Sequence, residues 1–164
     1  MLQLLESAKW LLAETEKWGE EVKIYVINGP NLDMLGKRPE NIYGKVTLEE
    51  INKDISSKAV ELGIQVEFYQ SNHEGELIDI IHKANSEADG IIVNLGAYSH
   101  YSIALRDAVE ILSIPAVEVH LSNIYAREDF RHISYISPLA AGVICGFGPL
   151  GYSLALVAIR DILV

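Results

Sequence analysis

The feature that most constrains this chain is an alternation. Short, apolar, β-rich runs are separated by longer stretches with helical periodicity. The strand candidates are Val22–Asn28, Gln65–Tyr69, Gly90–Leu95, Ala116–Leu121 and Gly142–Gly146, and helical patterns occupy Thr47–Leu62, Glu74–Glu87, His100–Leu112 and Pro149–Ile162. Strand then helix, repeated, buries its apolar surface as a parallel sheet with helices on both faces. The first, third and fifth runs show little alternation, as expected of strands covered on both faces. Thr47-Leu-Glu-Glu50 and Ser71-Asn-His-Glu74 both read as capping boxes that open helices. Five strands in this arrangement suit an α/β, flavodoxin-like, doubly wound parallel sheet.

With 164 residues, 49% of them hydrophobic, the chain is long enough for one well-filled domain. We place that domain at 21–164. Residues 1–20 stand apart: Leu4, Ala8, Leu11, Leu12, Thr15 and Trp18 fall at helical spacing. They read as an amphipathic helical extension that packs on the domain, with a partner-binding element as the alternative. The start of the chain has neither a basic region nor a small-residue cleavage site, so no secretory signal is expected. No apolar run reaches the ~20 residues of a membrane span. Cys145 is the only cysteine, which rules out an intrachain disulfide and fits a reducing, cytoplasmic compartment. A formal net charge of −10 argues against nucleic acid or an anionic membrane as partner. It leaves room for a small anionic ligand in a locally basic pocket, so clustered arginines are informative.

In an open α/β sheet, ligands bind beyond the carboxyl ends of the strands. The unusual residues of this sequence sit there. Asn28-Gly-Pro-Asn31 follows the first strand, Asn94-Leu-Gly-Ala-Tyr-Ser-His100 the third, and Glu118-Val-His120-Leu-Ser-Asn123 ends the fourth. Each alone has a plain reading: Asn-Gly-Pro as an ordinary turn, a strand-end histidine as a structural one. Three polar strand ends meeting at one crevice are harder to dismiss. Glu118 and His120 are two apart on a strand and share a face. A carboxylate beside an imidazole fixes its tautomer and supports its protonated form, which is how a general acid is built. A buried structural pair is the competing reading. Arg127 and Arg131 are four apart in Ile124–His132, read here as a short helical stretch. There they could clamp a carboxylate, or simply share a solvated face with Glu128 and Asp129.

The segment Asp33–Lys45 is long, polar and bounded by glycine, like an active-site lid. It carries Arg38 and Tyr43. A tyrosine with an ordinary pKa of ~10 is a poor base at neutral pH, but a nearby guanidinium favours the phenolate. A lid tyrosine that only packs is the alternative.

Other signals in the sequence are weaker. Gly146-Phe-Gly148-Pro-Leu-Gly151 matches GxGxxG, but the sequence ends at Val164, before the following strand and acidic residue of a dinucleotide site. These glycines are expected to make a tight turn, with Pro149 starting the helix. The histidines lack metal-ligand spacing, and Ser99-His100 lacks the Gly-x-Ser-x-Gly elbow. No lysine falls inside a strand pattern near the crevice, so no imine-forming lysine is expected.

The segments INGPNLDMLGKRPENIYG, FYQSNHEGELIDIIHKA, NLGAYSHYSIALRDA and EVHLSNIYAREDFRHISYIS strongly resemble the type II dehydroquinate dehydratases, in order and spacing, from about Lys23 to the C-terminus. The resemblance implies a flavodoxin-like fold and anti elimination of water from 3-dehydroquinate to 3-dehydroshikimate through an enolate. It implies no cofactor, metal or Schiff base. By motif position, Tyr43 resembles the proton-abstracting base and Arg38 the residue that stabilises its phenolate. His120, oriented by Glu118, resembles the general acid, and Asn31 the residue that positions a water near the enolate oxygen. Asn94, His100, Leu121, Ser122 and Arg131 resemble substrate contacts, with Arg131 on the carboxylate. Asp107 resembles an aspartate that reaches a neighbouring subunit's site, and the family commonly assembles as dodecamers built from trimers. The departure from the family pattern is the N-terminal extension. A non-catalytic flavodoxin-like module is the competing class. A receiver would need acidic residues where Asn28 and Asn31 stand, and a flavin carrier a Ser/Thr-rich loop where Gly-Pro-Asn stands.

Overall fold

The computed structural model describes residues 22–37 and 46–164. The expected N-terminal helix lies outside the described residues, as do Arg38 and Tyr43.

Five parallel strands, β1 (Val22–Asn28), β2 (Ile64–Gln70), β3 (Gly90–Asn94), β4 (Ala116–His120) and β5 (Gly142–Cys145), form one sheet in the order β2-β1-β3-β4-β5. Among the described residues, four α-helices connect or follow them: α1 (Leu48–Leu62), α2 (Glu74–Glu87), α3 (Ile103–Glu110) and α4 (Leu150–Leu163). This is the flavodoxin-like order, and the direction of winding reverses between β1 and β3, where such sheets open a crevice.

Strand alternation divides the core in two. Ile24, Val26, Ile92, Val117 and Val119 face α1 and α4, packing on Ile55, Ala59, Leu156 and Ile159. Tyr25, Ile27, Ile91, Val93 and Ala116 face α2 and α3, packing on Leu77, Ile81, Leu105 and Val109. β3 and β4 are buried along their whole length. The expectation that the fifth strand is covered on both faces is not met. β5 is an edge strand with Val143 exposed, and its apolar sequence reflects one covered face and a missing neighbour.

The capping box at Thr47 forms: its Oγ1 accepts from the Glu50 N–H at 3.2 Å, and the Glu50 carboxylate accepts from the Thr47 N–H at 2.8 Å. The one expected at Ser71 does not. His73 occupies the N-cap position, Ser71 Oγ accepts from the His73 N–H at 2.9 Å, and Glu74 instead accepts from Ser102 Oγ at 2.5 Å. A tertiary donor therefore takes the carboxylate that a local cap would have used. Ser102 also caps α3, so that helix begins at Ile103 and not at His100. The segment before it, Gly96–His100, is a 3₁₀ turn.

Asn28-Gly-Pro is more than a turn. A Cβ at Gly29 would lie 2.5 Å from the Leu95 carbonyl oxygen, and the Gly29 N–H donates to the Asn94 carbonyl at 2.8 Å. A glycine here lets the loop after β1 lie directly on the end of β3. The loops after β1 and β3 are thus joined backbone to backbone at the floor of the crevice.

Candidate active site

A cavity of about 150 Å³ opens at the carboxyl ends of β1, β3 and β4. The β1 loop contributes Asn31. The end of β3 and its loop contribute Asn94 and His100. The end of β4 and the chain after it contribute His120, Leu121, Ser122, Arg127 and Arg131. Asn94 lies on the α1/α4 side of the sheet and His120 on the α2/α3 side. They meet because the cavity sits over the strand ends, where the two faces are no longer separated.

Glu118 is fully buried, and its Oε1 lies 2.9 Å from His120 Nε2. A carboxylate can only accept, so Nε2 carries a hydrogen and Nδ1 is left for other chemistry. Glu118 also accepts from Ser134 Oγ at 2.7 Å and from the Ser137 hydroxyl. Burial by itself raises a carboxyl pKa, but the bond and charge of His120 and the two hydroxyls outweigh it and hold Glu118 below its ordinary range. The carboxylate is therefore charged and fixed behind the imidazole. His100 stacks on His120 with ring centroids 5.8 Å apart, and its Nδ1–H donates to the Ile133 carbonyl at 2.8 Å. Burial lowers the His100 pKa, the Ile133 bond works against this, and the charges of His120 and Arg131 add to the lowering. A neutral His100 offers its Nε2 lone pair as an acceptor for a ligand hydroxyl.

Arg127 and Arg131 both line the cavity, for a different reason from the one expected. Ile124–Ala126 and Asp129–Arg131 are two separate 3₁₀ turns, with Arg127 extended between them. The arginines converge because the chain folds back, not because they lie one helical turn apart. Glu128 sits between them, 3.4 Å from Arg127 Nε and 2.9 Å from Arg131 Nε. Arg127 also donates to Ser122 Oγ at 3.3 Å. Two guanidinium groups against one carboxylate leave a net positive charge at the cavity wall, which suits an anionic ligand.

Beneath the cavity is a buried network that local sequence could not reveal. The Tyr152 hydroxyl, from α4, donates to Asn28 Oδ1 at 2.5 Å and accepts from Asn94 Nδ2 at 3.0 Å. Asn28 and Tyr152 are 124 residues apart in sequence. The available signal was an Asn ending each of two otherwise apolar strands, paired with each other in the parallel register. Ser134 and Ser137 had no such signal, since nothing local connects them to Glu118. Asp107 does not line this cavity. It is exposed on α3 and pairs with Arg106 at 3.1 Å. Among the described residues, no group of three or more His, Cys, Asp or Glu could hold a metal ion, and no helix is long and apolar enough to cross a membrane.

The fold and site define a flavodoxin-like α/β protein with a buried acid–base pair and two arginines at its topological switch point. The sequence matches a family described as dehydroquinase class II over residues 22–160. It is 58% identical to 3-dehydroquinate dehydratase 1 of Agrobacterium fabrum over 139 residues, 85% of this chain and 96% of that one. It is also 58% identical to the 3-dehydroquinate dehydratase of Caldicellulosiruptor bescii over 142 residues, 86% of this chain and 98% of that one. The crystal structure of a type II dehydroquinase from Butyrivibrio crossotus superposes with a TM-score of 0.84 at 48% identity, covering 87% of this chain and 99% of that one. The chain belongs to the class II dehydroquinase family.

Proposed function

We propose that this protein is a type II 3-dehydroquinate dehydratase, a hydro-lyase that removes water from 3-dehydroquinate by anti elimination. The product is 3-dehydroshikimate, formed through an enolate. Beyond family membership, the observation that carries the reading is the pairing, in one cavity, of the Glu118–His120 couple with Arg127 and Arg131. The couple suits loss of a hydroxyl, and the arginines suit the substrate's carboxylate. The proton removed is alpha to a ketone, so a base, an enolate stabiliser and an acid suffice, without metal, organic cofactor or imine.

In this mechanism the Tyr43 phenolate, maintained by Arg38, takes the proton. Both assignments rest on motif position. Asn31 positions a water near the developing enolate oxygen. His120 gives the proton on Nδ1 to the departing hydroxyl, and the Glu118 carboxylate balances the imidazolium. Arg131 holds the carboxylate, while Asn94, His100, Leu121 and Ser122 contact the ring hydroxyls. The reaction serves the shikimate route to aromatic amino acids in the cytoplasm; catabolic use of quinate would employ the same step. Conversion of 3-dehydroquinate to a conjugated enone, followed by absorbance, tests the reading. Activity should survive a chelator and borohydride, and a borohydride-reduced lysine adduct would overturn the enolate mechanism.

The working form is a homo-oligomer, a dodecamer built from trimers, in which Asp107 reaches a neighbouring site. The exposure of Asp107, and of Tyr101, Ile103, Phe130 and Ile133 on the segments after β3 and β4, supports association there. Sedimentation that finds a fully active monomer would refute it.

A further inference from the structure

Among the described residues, Asn31 is the one non-glycine residue with positive φ, at 66°. L residues seldom adopt this left-handed conformation, and asparagine tolerates it better than most. Asn31 lines the cavity, and its backbone conformation fixes the direction in which its side chain leaves the chain. The Asn31 N–H donates to Asn72 Oδ1 at 2.8 Å.

Asn72 is exposed and does not line the cavity, yet its polar groups are committed. Its Nδ2 lies 3.4 Å from Asp33 Oδ2 in the turn that follows Asn31. Its backbone carbonyl accepts from the Tyr98 hydroxyl, in the loop after β3, at 3.2 Å. One residue before the cap of α2 thus ties the loops after β1, β2 and β3 together. Gln70 reinforces the junction, with Nε2 donating to the Gly29 carbonyl at 3.3 Å. A surface asparagine with no task would not be expected to bond two neighbouring loops at once.

We infer that Asn72 is a positioning residue, which holds the Asn31 backbone in its left-handed conformation and so governs turnover without touching substrate. This rests on the dehydratase reading, in which Asn31 acts at the enolate. An enolate contact matters in the transition state more than in the ground state, so its misplacement lowers kcat and leaves KM nearly unchanged.

The test measures kcat, KM and thermal stability for the intact full-length protein and four variants. Asn72→Ala removes the acceptor and should lower kcat about ten- to a hundredfold, with KM within about threefold, as for small misplacements of reacting groups. Asn72→Asp combined with Asp33→Asn exchanges donor and acceptor while keeping an acceptor for the Asn31 N–H, and should restore most of the lost kcat. Asn31→Gly deletes the amide but keeps the left-handed backbone accessible. Adding Asn72→Ala to Asn31→Gly should lower kcat no further. A fall in melting temperature with wild-type kcat in Asn72→Ala would make Asn72 a structural staple only and overturn the inference. So would equal losses from Asn72→Ala in both backgrounds. Wild-type kcat in Asn31→Gly would remove the role of Asn31, and the inference with it. A wild-type protein that leaves 3-dehydroquinate unchanged would instead overturn the dehydratase reading.

Discussion

Replacing Tyr152 by phenylalanine is a sharp test of how the floor of the site is held. The change keeps the ring in the core and removes one oxygen. That oxygen satisfies Asn28 Oδ1 and Asn94 Nδ2, and both asparagines are buried, at 0% and 3% exposure. Asn28 Nδ2 already has no partner among the described residues, so the variant leaves the Asn28 amide without a bond among them. A stranded buried polar group costs ~1–3 kcal/mol, so two cost about 2–5 kcal/mol after partial relaxation. At about 2–4 °C per kcal/mol for a domain of this size, the melting temperature should fall by roughly 4–20 °C.

Tyr25→Phe is the internal control. The Tyr25 ring is equally buried, but its hydroxyl donates to Glu87 at 2.9 Å, and the Glu87 side chain is 47% exposed. Water can replace the lost donor there, so the cost should stay below about 1 kcal/mol. Urea unfolding of both variants and wild type at one protein concentration gives the comparison. Tyr152→Phe should also raise KM for 3-dehydroquinate, because among the described residues the Asn94 amide keeps only the 3.3 Å bond that its Oδ1 accepts from the Gly96 N–H. If Tyr152→Phe costs no more than Tyr25→Phe, the network is not holding the strand ends, and the reasoning fails.

His120→Ala should lower kcat ~10²–10⁴-fold with the fold intact by circular dichroism, as for loss of a general acid; wild-type turnover would remove His120 from that role. Tyr43→Phe should nearly abolish turnover while calorimetry still detects substrate binding. Its effect should be non-additive with that of Arg38→Ala, since the arginine acts partly through the phenolate; more than about a tenth of wild-type turnover in Tyr43→Phe, a loss under ~1.4 kcal/mol, would exclude it as the base. Glu118 has its pKa held below the unfolded value, so its stabilisation is present above the ordinary glutamate range and is lost as pH falls through the folded-state value. Urea midpoints measured against pH should therefore show a shallower acid decline in Glu118→Gln than in wild type, and identical slopes would contradict the assignment.

The sequence by itself determined the class of fold and much of the site. Apolar runs and helical periods are local consequences of burial, and a parallel sheet is how this alternation covers itself. Glu118 and His120 were legible as a pair because two residues apart on a strand share a face, whatever the fold. The convergence of polar strand ends followed from the sheet's geometry alone. Only the tertiary structure decided which distant groups satisfy them. Ser134 and Ser137 on Glu118, Tyr152 between Asn28 and Asn94, and Asn72 on the Asn31 backbone are bonds across loops far apart in sequence. No local pattern encodes such partners, because a buried polar atom takes whatever donor packing brings within reach. The same dependence on distant contacts accounts for two of the departures from local pattern. Glu74 took Ser102 in place of a local cap, and Arg127 and Arg131 met through a doubled-back chain where spacing suggested a helix. Local rules hold until a tertiary contact offers a better bond, and at this site the tertiary contacts set the geometry.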